Sequence, residues 1–326
     1  ARLTYAQGVM LGSYLPIDEN DQAAVDVVNR LNETNSDQAC EVGEALICKY
    51  ELRVAEISDI YSKGRECEEL RDYERGMLEY SKIIALDPAN SAAYWRRGSC
   101  YWHLKQSEDA IKDLDEAIEL DPTSPAFSTR GFVFTGLLEF ENAIEDFTAV
   151  IALEPEEAYM FRCRGIAYLE LGKTSNAFDD FTESIKLNPN DAHVFYKRGH
   201  VHYELGRFVN AIEDYTSAIE LASDVPRYYW MRGNCHDALE SIDEAESEFS
   251  VVLKQDVDNY LSELEDLGIS SEMASAERYL SLAIENGSSN HLVFEKRCIC
   301  FMKKRMFAEA NQEWDAAKSL GANNAP

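Results

Sequence analysis

Two histidines and several pairs of acids are the side chains of this sequence whose types and spacing could support metal binding or catalysis. His200 and His202 form the only close histidine pair, but side chains two residues apart on a helix point in different directions, which does not suit a shared metal ion. Acid pairs such as Asp179 and Asp180 recur at equivalent places along the chain, which is typical of a solvated helix face. The sequence therefore predicts neither a metal site nor a catalytic carboxylate pair.

Motifs that bind nucleotides or activate a nucleophile are missing. The sequence holds no G-x-G-x-x-G, no G-x-x-x-x-G-K, no G-x-S-x-G and no H-E-x-x-H. We therefore expect a protein that is not an enzyme and that requires no cofactor.

The chain is strongly acidic. Its 60 Asp and Glu residues against 31 Lys and Arg residues give a formal net charge of −29. This charge repels nucleic-acid phosphates and anionic membrane surfaces. Because no apolar run approaches the roughly 20 residues of a membrane span, we expect neither a nucleic-acid partner nor direct membrane insertion.

The eight cysteines do not form the pattern of a disulfide scaffold. There is no C-x-x-C pair, and Cys298 and Cys300 are too close for ordinary bridging geometry in a helix. Buried thiols in the reducing cytoplasm are the favoured interpretation. A secretory lumen is the alternative, which the glycosylation sequons at Asn32 and Asn286 would suit.

A period of about 34 residues dominates the chain. Glycines that follow Arg or Lys recur at spacings of 33 or 34 residues. An aromatic residue stands four positions before most of them, a small residue twelve positions after most of them, and proline closes the first four units. Each unit is predicted to be two amphipathic helices joined by a tight turn. The recurring glycines are Gly64, Gly98, Gly131, Gly165, Gly199 and Gly233.

This pattern resembles the tetratricopeptide repeat, in which the glycine is position 8, the small residue position 20 and the proline position 32. The resemblance covers roughly residues 57–322 and implies an all-α, right-handed superhelix of about seven or eight helical hairpins. Units two to six would begin at Ser91, Ser124, Ala158, Ala192 and Pro226. The predicted domains are an N-terminal helical cap (1–56), six regular repeats (57–256), a degenerate repeat (257–290) and a C-terminal repeat or cap (291–326).

Position 7 is basic and position 23 is acidic in the same seven units. We interpret these residues as a ladder of partly buried ion pairs, formed within a unit or between neighbouring units. Independent solvated charges are the alternative. The predicted pairs are Lys63/Glu79, Arg97/Asp113, Arg130/Asp146, Arg164/Asp180, Arg198/Asp214, Arg232/Glu248 and Arg297/Glu313.

In the tetratricopeptide family the first helices line a concave groove, chiefly with positions 2, 5, 9 and 12 and their neighbours. These positions are aromatic and mildly basic here, as recognition of a peptide with carboxylates requires. The alternative is that several of the rings pack between helices. The predicted groove residues are Trp95, Arg96, Trp102, His103, Phe132, Tyr159, Arg162, Ile166, His193, Tyr196, Lys197, His200, Tyr203, Arg227, Trp230 and Asn234.

Two subtypes of the family carry recognisable groove residues. Chaperone-binding members hold a C-terminal carboxylate with a clamp that includes Lys at position 5 and Asn at position 9 of one unit, whereas Asn234 is preceded at position 5 by Trp230. Sugar-transferring members have an Asn ladder at position 6, where this chain has residues such as Arg96 and Lys197. The sequence matches neither subtype.

We expect a non-enzymatic adaptor or scaffold that holds a partner polypeptide in the groove. The partner segment would carry carboxylates beside apolar or aromatic anchors. A basic partner on the acidic outer face is a competing hypothesis. Because the chain does not begin with Met, a regulatory or targeting domain of a larger enzyme or co-chaperone is the alternative class of function.

Overall fold

This computed structural model describes residues 37–255, 280–281, 284, 297 and 307–320. These residues contain thirteen helices and no strand. Most of the predicted cap and of the degenerate repeat lies outside them. The helices are α1 (Asp37–Glu69), α2 (Tyr73–Leu86), α3 (Ser91–His103), α4 (Ser107–Leu120), α5 (Ser124–Gly136), α6 (Phe140–Leu153), α7 (Ala158–Glu170), α8 (Thr174–Leu187), α9 (Ala192–Glu204), α10 (Phe208–Leu221), α11 (Pro226–Ala238), α12 (Ile242–Gln255) and α13 (Phe307–Ser319).

The chain divides into two compact units, Ala1–Met160 and Phe161–Pro326. In the first unit α1 packs on α2, α3 on α4 and α5 on α6, and each second helix also packs on the next first helix. In the second unit α9 packs on α10 and α11 on α12 in the same way, and the first helices α9 and α11 touch each other. The prediction of an all-α fold of tandem helical hairpins is confirmed.

The helix boundaries follow the repeat with one difference. Helices α3, α5, α7, α9 and α11 begin at the residues at which units two to six were predicted to begin. The first unit differs, because Ile57 lies in the middle of the 33-residue helix α1.

The turn inside a hairpin is a C-terminal helix cap with one residue in the left-handed region. After α9, Gly206 N donates to Tyr203 O at 2.9 Å and Arg207 N donates to His202 O at 2.8 Å, which is the Schellman arrangement. The equivalent residue is glycine in only two of the hairpins described here. The residues with positive φ are Arg71, Lys105, Leu138, Gly172, Gly206 and Glu240.

The recurring glycine lets a ring from the second helix lie against the first helix. A Cβ atom at Gly165 would stand 2.7 Å from a ring carbon of Phe181, closer than two carbons can approach. This position lies at the centre of the hairpin and is fully buried; it holds an aromatic ring in five hairpins and Leu114 in another. Its residues are Tyr80, Leu114, Phe147, Phe181, Tyr215 and Phe249.

Candidate functional site

A ladder of ion pairs joins the two helices of the hairpins that follow the first one. Six of the seven predicted pairs are formed, and Arg164 shows the usual geometry: Nε and Nη2 donate to the two carboxylate oxygens of Asp180 at 2.8 and 2.7 Å. The Asp180 side chain is only 7% exposed, so the pair is partly buried as predicted. The pairs formed are Arg97/Asp113, Arg130/Asp146, Arg164/Asp180, Arg198/Asp214, Arg232/Glu248 and Arg297/Glu313.

The predicted pair at the N-terminal end of the ladder was wrong. Lys63 Nζ binds Asp59 at 2.6 Å on its own helix, and Glu79 binds Lys82 at 2.6 Å. Lys63 and Asp59 are both mostly exposed. A lysine lacks the planar fork with which arginine holds both oxygens of a carboxylate, so a local partner at i−4 replaces the distant one.

The ladder also connects neighbouring hairpins. Arg97 Nη1 donates to Ser81 Oγ of the preceding second helix at 3.1 Å, and Arg232 Nη1 donates to Thr216 Oγ1 at 2.9 Å. The Arg97 guanidinium also lies over the Tyr94 ring at 5.5 Å. The recurring aromatic residue four positions before the glycine therefore packs on the ladder arginine, a role that the sequence pattern did not reveal.

In the first unit, the side chain of the predicted groove residue Arg96 is already engaged in an ion pair and a hydrogen bond. Its Nη1 binds Glu68 Oε2 at 2.6 Å and its Nε donates to the Tyr61 hydroxyl at 2.9 Å. The Trp95 ring lies 4.8 Å from the guanidinium, and Trp95 Nε1 donates to Thr129 Oγ1 at 2.9 Å. These side chains contact one another and leave little of the arginine's charge for a ligand.

The other predicted groove residues of the first unit pack between hairpins or lie at the surface. Trp102 packs where Gly136 has no side chain. His103 is exposed and stacks on Tyr73 with 4.2 Å between ring centroids. Phe132 lies between Phe147 and Tyr159, and the Tyr159 side chain is 42% exposed.

In the second unit, three predicted groove residues lie in the core. Trp230 is fully buried against Phe249, with ring centroids 5.0 Å apart. Tyr196 is 6% exposed and packs on Tyr228 at 5.3 Å. Asn234 is 2% exposed. None of the three offers an exposed side chain to a partner.

The remaining groove residues of the second unit form a cationic surface on α7, α9 and α11. Arg162 Nη1 binds Asp191 Oδ2 at 2.6 Å. Asp191 is also the N-cap of α9, where its side chain accepts a hydrogen bond from His193 N. An N-cap aspartate before a predicted helix start is a visible sequence signal, but its contact with Arg162 depends on how α7 and α9 pack.

Lys197 is the cation at the centre of this surface. It is half-buried, and its ammonium lies 5.8 Å from the centroid of the Tyr196 ring. Burial lowers the pKa of Lys197, and Arg227 adds to the effect while Glu170 opposes it. Among the described residues Lys197 has no ion pair, so its charge is without a counter-ion.

Two histidines lie one turn on either side of Lys197. Desolvation and the charges of Lys197 and Arg162 lower the pKa of His193 to about 4. Burial and Lys197 also lower the pKa of His200, against the influence of Glu204, whose Oε1 lies 3.6 Å from His200 Nδ1.

The last two predicted groove residues, Tyr203 and Ile166, are half-buried. Tyr203 meets the Phe208 ring edge-on at 5.5 Å, and Ile166 packs against the core around Phe181. No group of three or more His, Cys, Asp or Glu that could hold a metal ion is found among the described residues. No helix in the described ranges is long and apolar enough to cross a membrane.

A fold of tandem helical hairpins tied by buried Arg–carboxylate pairs defines a helical-repeat protein. The family model of the TPR repeat matches residues 165–206, and that of the tetratricopeptide repeat matches residues 61–125 and 196–259. These stretches of the chain therefore consist of tetratricopeptide repeats.

Two curated relatives are similar to part of the chain. Hsp70-Hsp90 organizing protein 1 of Glycine max is 28% identical over 131 residues, which are 38% of this chain and 23% of that protein. Small glutamine-rich tetratricopeptide repeat-containing protein 2 of Saccharomyces cerevisiae is 28% identical over 106 residues, which are 31% of each chain. The chain therefore spans less than a third of the length of these relatives.

A solved structure supports the fold. The C-terminal part of a TPR repeat-containing protein from Cytophaga hutchinsonii aligns with a TM-score of 0.57 at 17% identity. The alignment covers 81% of this chain and 96% of that one.

Proposed function

We propose that this protein is a non-enzymatic adaptor that holds a segment of a partner polypeptide against the first helices of its second unit. The observation that carries the proposal is Lys197, a half-buried cation without a counter-ion among the described residues. A charge held away from bulk water is stabilised by an opposite charge, so this surface favours a carboxylate. The relatives named as organizers of other proteins support an adaptor role.

The partner segment would place an acidic side chain at Lys197 and apolar anchors beside it. Tyr203 is half-buried on the same helix and offers part of its ring to such an anchor. The net charge of −29 repels an acidic partner at long range, so only a locally positive surface makes this binding favourable. A chaperone clamp is not part of the proposal, because Trp230 and Asn234 at the clamp positions are both buried.

The proposal is tested by charge reversal on the two faces. The partner is first captured from native extract and identified by mass spectrometry, and the bound segment is then measured as a synthetic peptide by fluorescence anisotropy. We expect the double variant Arg162→Glu, Lys197→Glu to abolish binding. Glu116→Lys with Glu145→Lys, two exposed sites on α4 and α6, should leave it intact.

Lys186→Glu is the matched control for the loss of a lysine. Lys186 is 72% exposed on the second helix α8, and its reversal makes half the change in net charge of the double variant. Circular dichroism of each variant separates lost binding from lost folding. Binding that survives the reversal at Arg162 and Lys197 but fails after reversal at Glu116 and Glu145 would show that the acidic face is the working surface.

We also place the protein in the cytoplasm. Cys67 and Cys100 are buried free thiols in the first unit, as expected in a reducing compartment. Acid quenching of cells followed by thiol labelling and mass spectrometry should find both cysteines reduced, whereas a stable disulfide at either would overturn this assignment.

A further inference from the structure

We propose that the carboxylate of the partner seats on Lys197 between His193 and His200 and that a proton is taken up by these histidines as it binds. This inference rests on the proposed function, since it concerns the same surface. It makes binding tighter in mildly acidic solution than at neutral pH.

The three groups share one face of α9. His193, Lys197 and His200 follow each other at intervals of four and three residues, which places them on successive turns. The Tyr196 ring beneath them lies 6.2 Å from the His193 ring and 6.5 Å from the His200 ring. An oxyanion beside the Lys197 ammonium would therefore have an imidazole on either side.

Among the described residues, three cations and three acids surround this face. The cations that face it are Lys197, Arg162 of α7 and Arg227 of α11. The acids that face it are Glu170 of α7, Asp191 before α9 and Glu204 at the end of α9.

Glu170 acts on Lys197 from a distance, and none of these acids forms an ion pair with Lys197 in the part of the chain that the structure describes. Asp191 is engaged by Arg162. Glu204 is 46% exposed, and its carboxylate stays 3.6 Å from His200 Nδ1. That nitrogen is buried and has no hydrogen-bond partner in the part of the chain that the structure describes. A bound carboxylate would provide a counter-ion for Lys197 and a hydrogen-bond partner for His200 Nδ1.

The direction of the pH effect on binding follows from the electrostatics. Desolvation and the positive charge of Lys197 lower the pKa of both histidines, so that both are neutral near pH 7 in the free protein. A carboxylate cancels the field of Lys197 and accepts hydrogen bonds from imidazolium, which raises both pKa values in the complex. Between the free and the bound pKa the complex carries the extra proton, and affinity increases as the pH falls.

Sulfate is the first probe, because it presents oxyanion oxygens and does not titrate in this range. Histidine ring signals are followed by NMR through a pH titration in sodium sulfate and in sodium chloride of equal ionic strength. We expect the midpoint of His200 to rise by about 0.3 units or more in sulfate. Lys197→Gln should remove the rise.

An equal rise for every histidine, no rise at His200, or a rise that survives Lys197→Gln would overturn the inference. Histidine-to-asparagine variants assign the signals. Because the sulfate experiment requires no knowledge of the partner, it tests the inference even if no partner is captured.

The partner peptide is the second probe. Calorimetry near pH 6.5 in two buffers of different ionisation enthalpy counts the protons taken up on binding. We expect net uptake and an affinity gain of roughly threefold to tenfold for each pH unit of acidification, the upper value corresponding to one full proton. The variant His193→Asn, His200→Asn should lose both effects and still bind at neutral pH.

The two proposals fail in different ways. Peptide binding that depends on Lys197 but takes up no proton would overturn this inference alone. Peptide binding that Lys197→Gln leaves unchanged would overturn the proposed function as well.

Discussion

Arg164 and Asp180, sixteen residues apart, are joined by two parallel hydrogen bonds of 2.8 and 2.7 Å between the two helices of one hairpin. The carboxylate is almost completely buried, and the Arg164 guanidinium also lies over the Phe161 ring at 5.6 Å. Removing one partner of such a pair costs more stability than removing both, because the remaining charge is then stranded away from water.

Replacing Arg164 with alanine should lower the free energy of unfolding by about 1–3 kcal/mol, because the buried Asp180 carboxylate would lose its partner. Arg198→Ala should behave alike, since Asp214 is just as buried. Urea unfolding followed by circular dichroism measures both.

Lys186→Ala is the control for this prediction. Its ion pair with Glu183 is exposed and should contribute at most about 0.5 kcal/mol. The double variant Arg164→Ala, Asp180→Ala should be less destabilised than Arg164→Ala alone. If both Arg164→Ala and Arg198→Ala melt like the unaltered protein, the ladder consists of ordinary surface charges.

Replacing Gly165 with alanine should destabilise the protein by about 1–3 kcal/mol, because the new methyl group would overlap the Phe181 ring. Gly98→Ala is the matched comparison at the same repeat position, where the nearest atom is a Leu114 side-chain carbon at 3.0 Å. Its cost should be smaller, because the contacts of the new methyl group are longer there, with the Ala110 carbonyl oxygen next at 3.2 Å. Thermal melts that rank the two variants in the reverse order would contradict the packing argument.

Replacing Leu138 with glycine should stabilise the protein by about 0.5–1 kcal/mol. Leu138 has φ of 62° and its side chain is 72% exposed, so glycine would remove backbone strain at little cost in burial. Leu137→Gly is the neighbouring control: Leu137 has φ of −90°, and glycine there should destabilise by a similar amount. Chemical denaturation of both variants checks the opposite signs.

The stability of the protein should depend on pH through His202. Burial lowers the pKa of His202, with Asp214 opposing and Arg198 assisting, so the unfolded chain binds a proton at a higher pH than the folded one. The contribution of the neutral ring is therefore complete above about pH 6.5, the unfolded value, and is lost as the pH falls below it. His202→Gln should lose less stability than the unaltered protein between about pH 7 and pH 5. Parallel stability curves for the two proteins would contradict this.

Much of the fold could be predicted because the repeat pattern is carried by residues that lie close together in the sequence. The starts of α3, α5, α7, α9 and α11 coincide with positions counted from a recurring glycine. Each of these signals depends on residues close together in the chain, and repetition in six units separates them from chance. The ladder was visible for the same reason, since its partners are always sixteen residues apart.

The candidate site was predicted less well because a helix register shows which face a residue occupies but not what covers that face. Trp230 and Tyr196 stand at groove positions, yet the neighbouring helices bury both rings. Lys63 matched the ladder and took a local partner instead. Glu68 was not predicted as the partner of Arg96. Their contact joins helices of successive hairpins, and no recurring sequence spacing indicates it.

The sequence by itself determined the architecture, the positions of the hairpins and the charge ladder, because periodic local patterns carry that information along the chain. The tertiary structure alone decided which groove cations keep an available charge. Arg96 and Arg162 are neutralised by Glu68 and Asp191, while Lys197 has no counter-ion in the described part of the chain. That difference depends on distances across packed helices of a few ångströms, which composition and spacing do not encode.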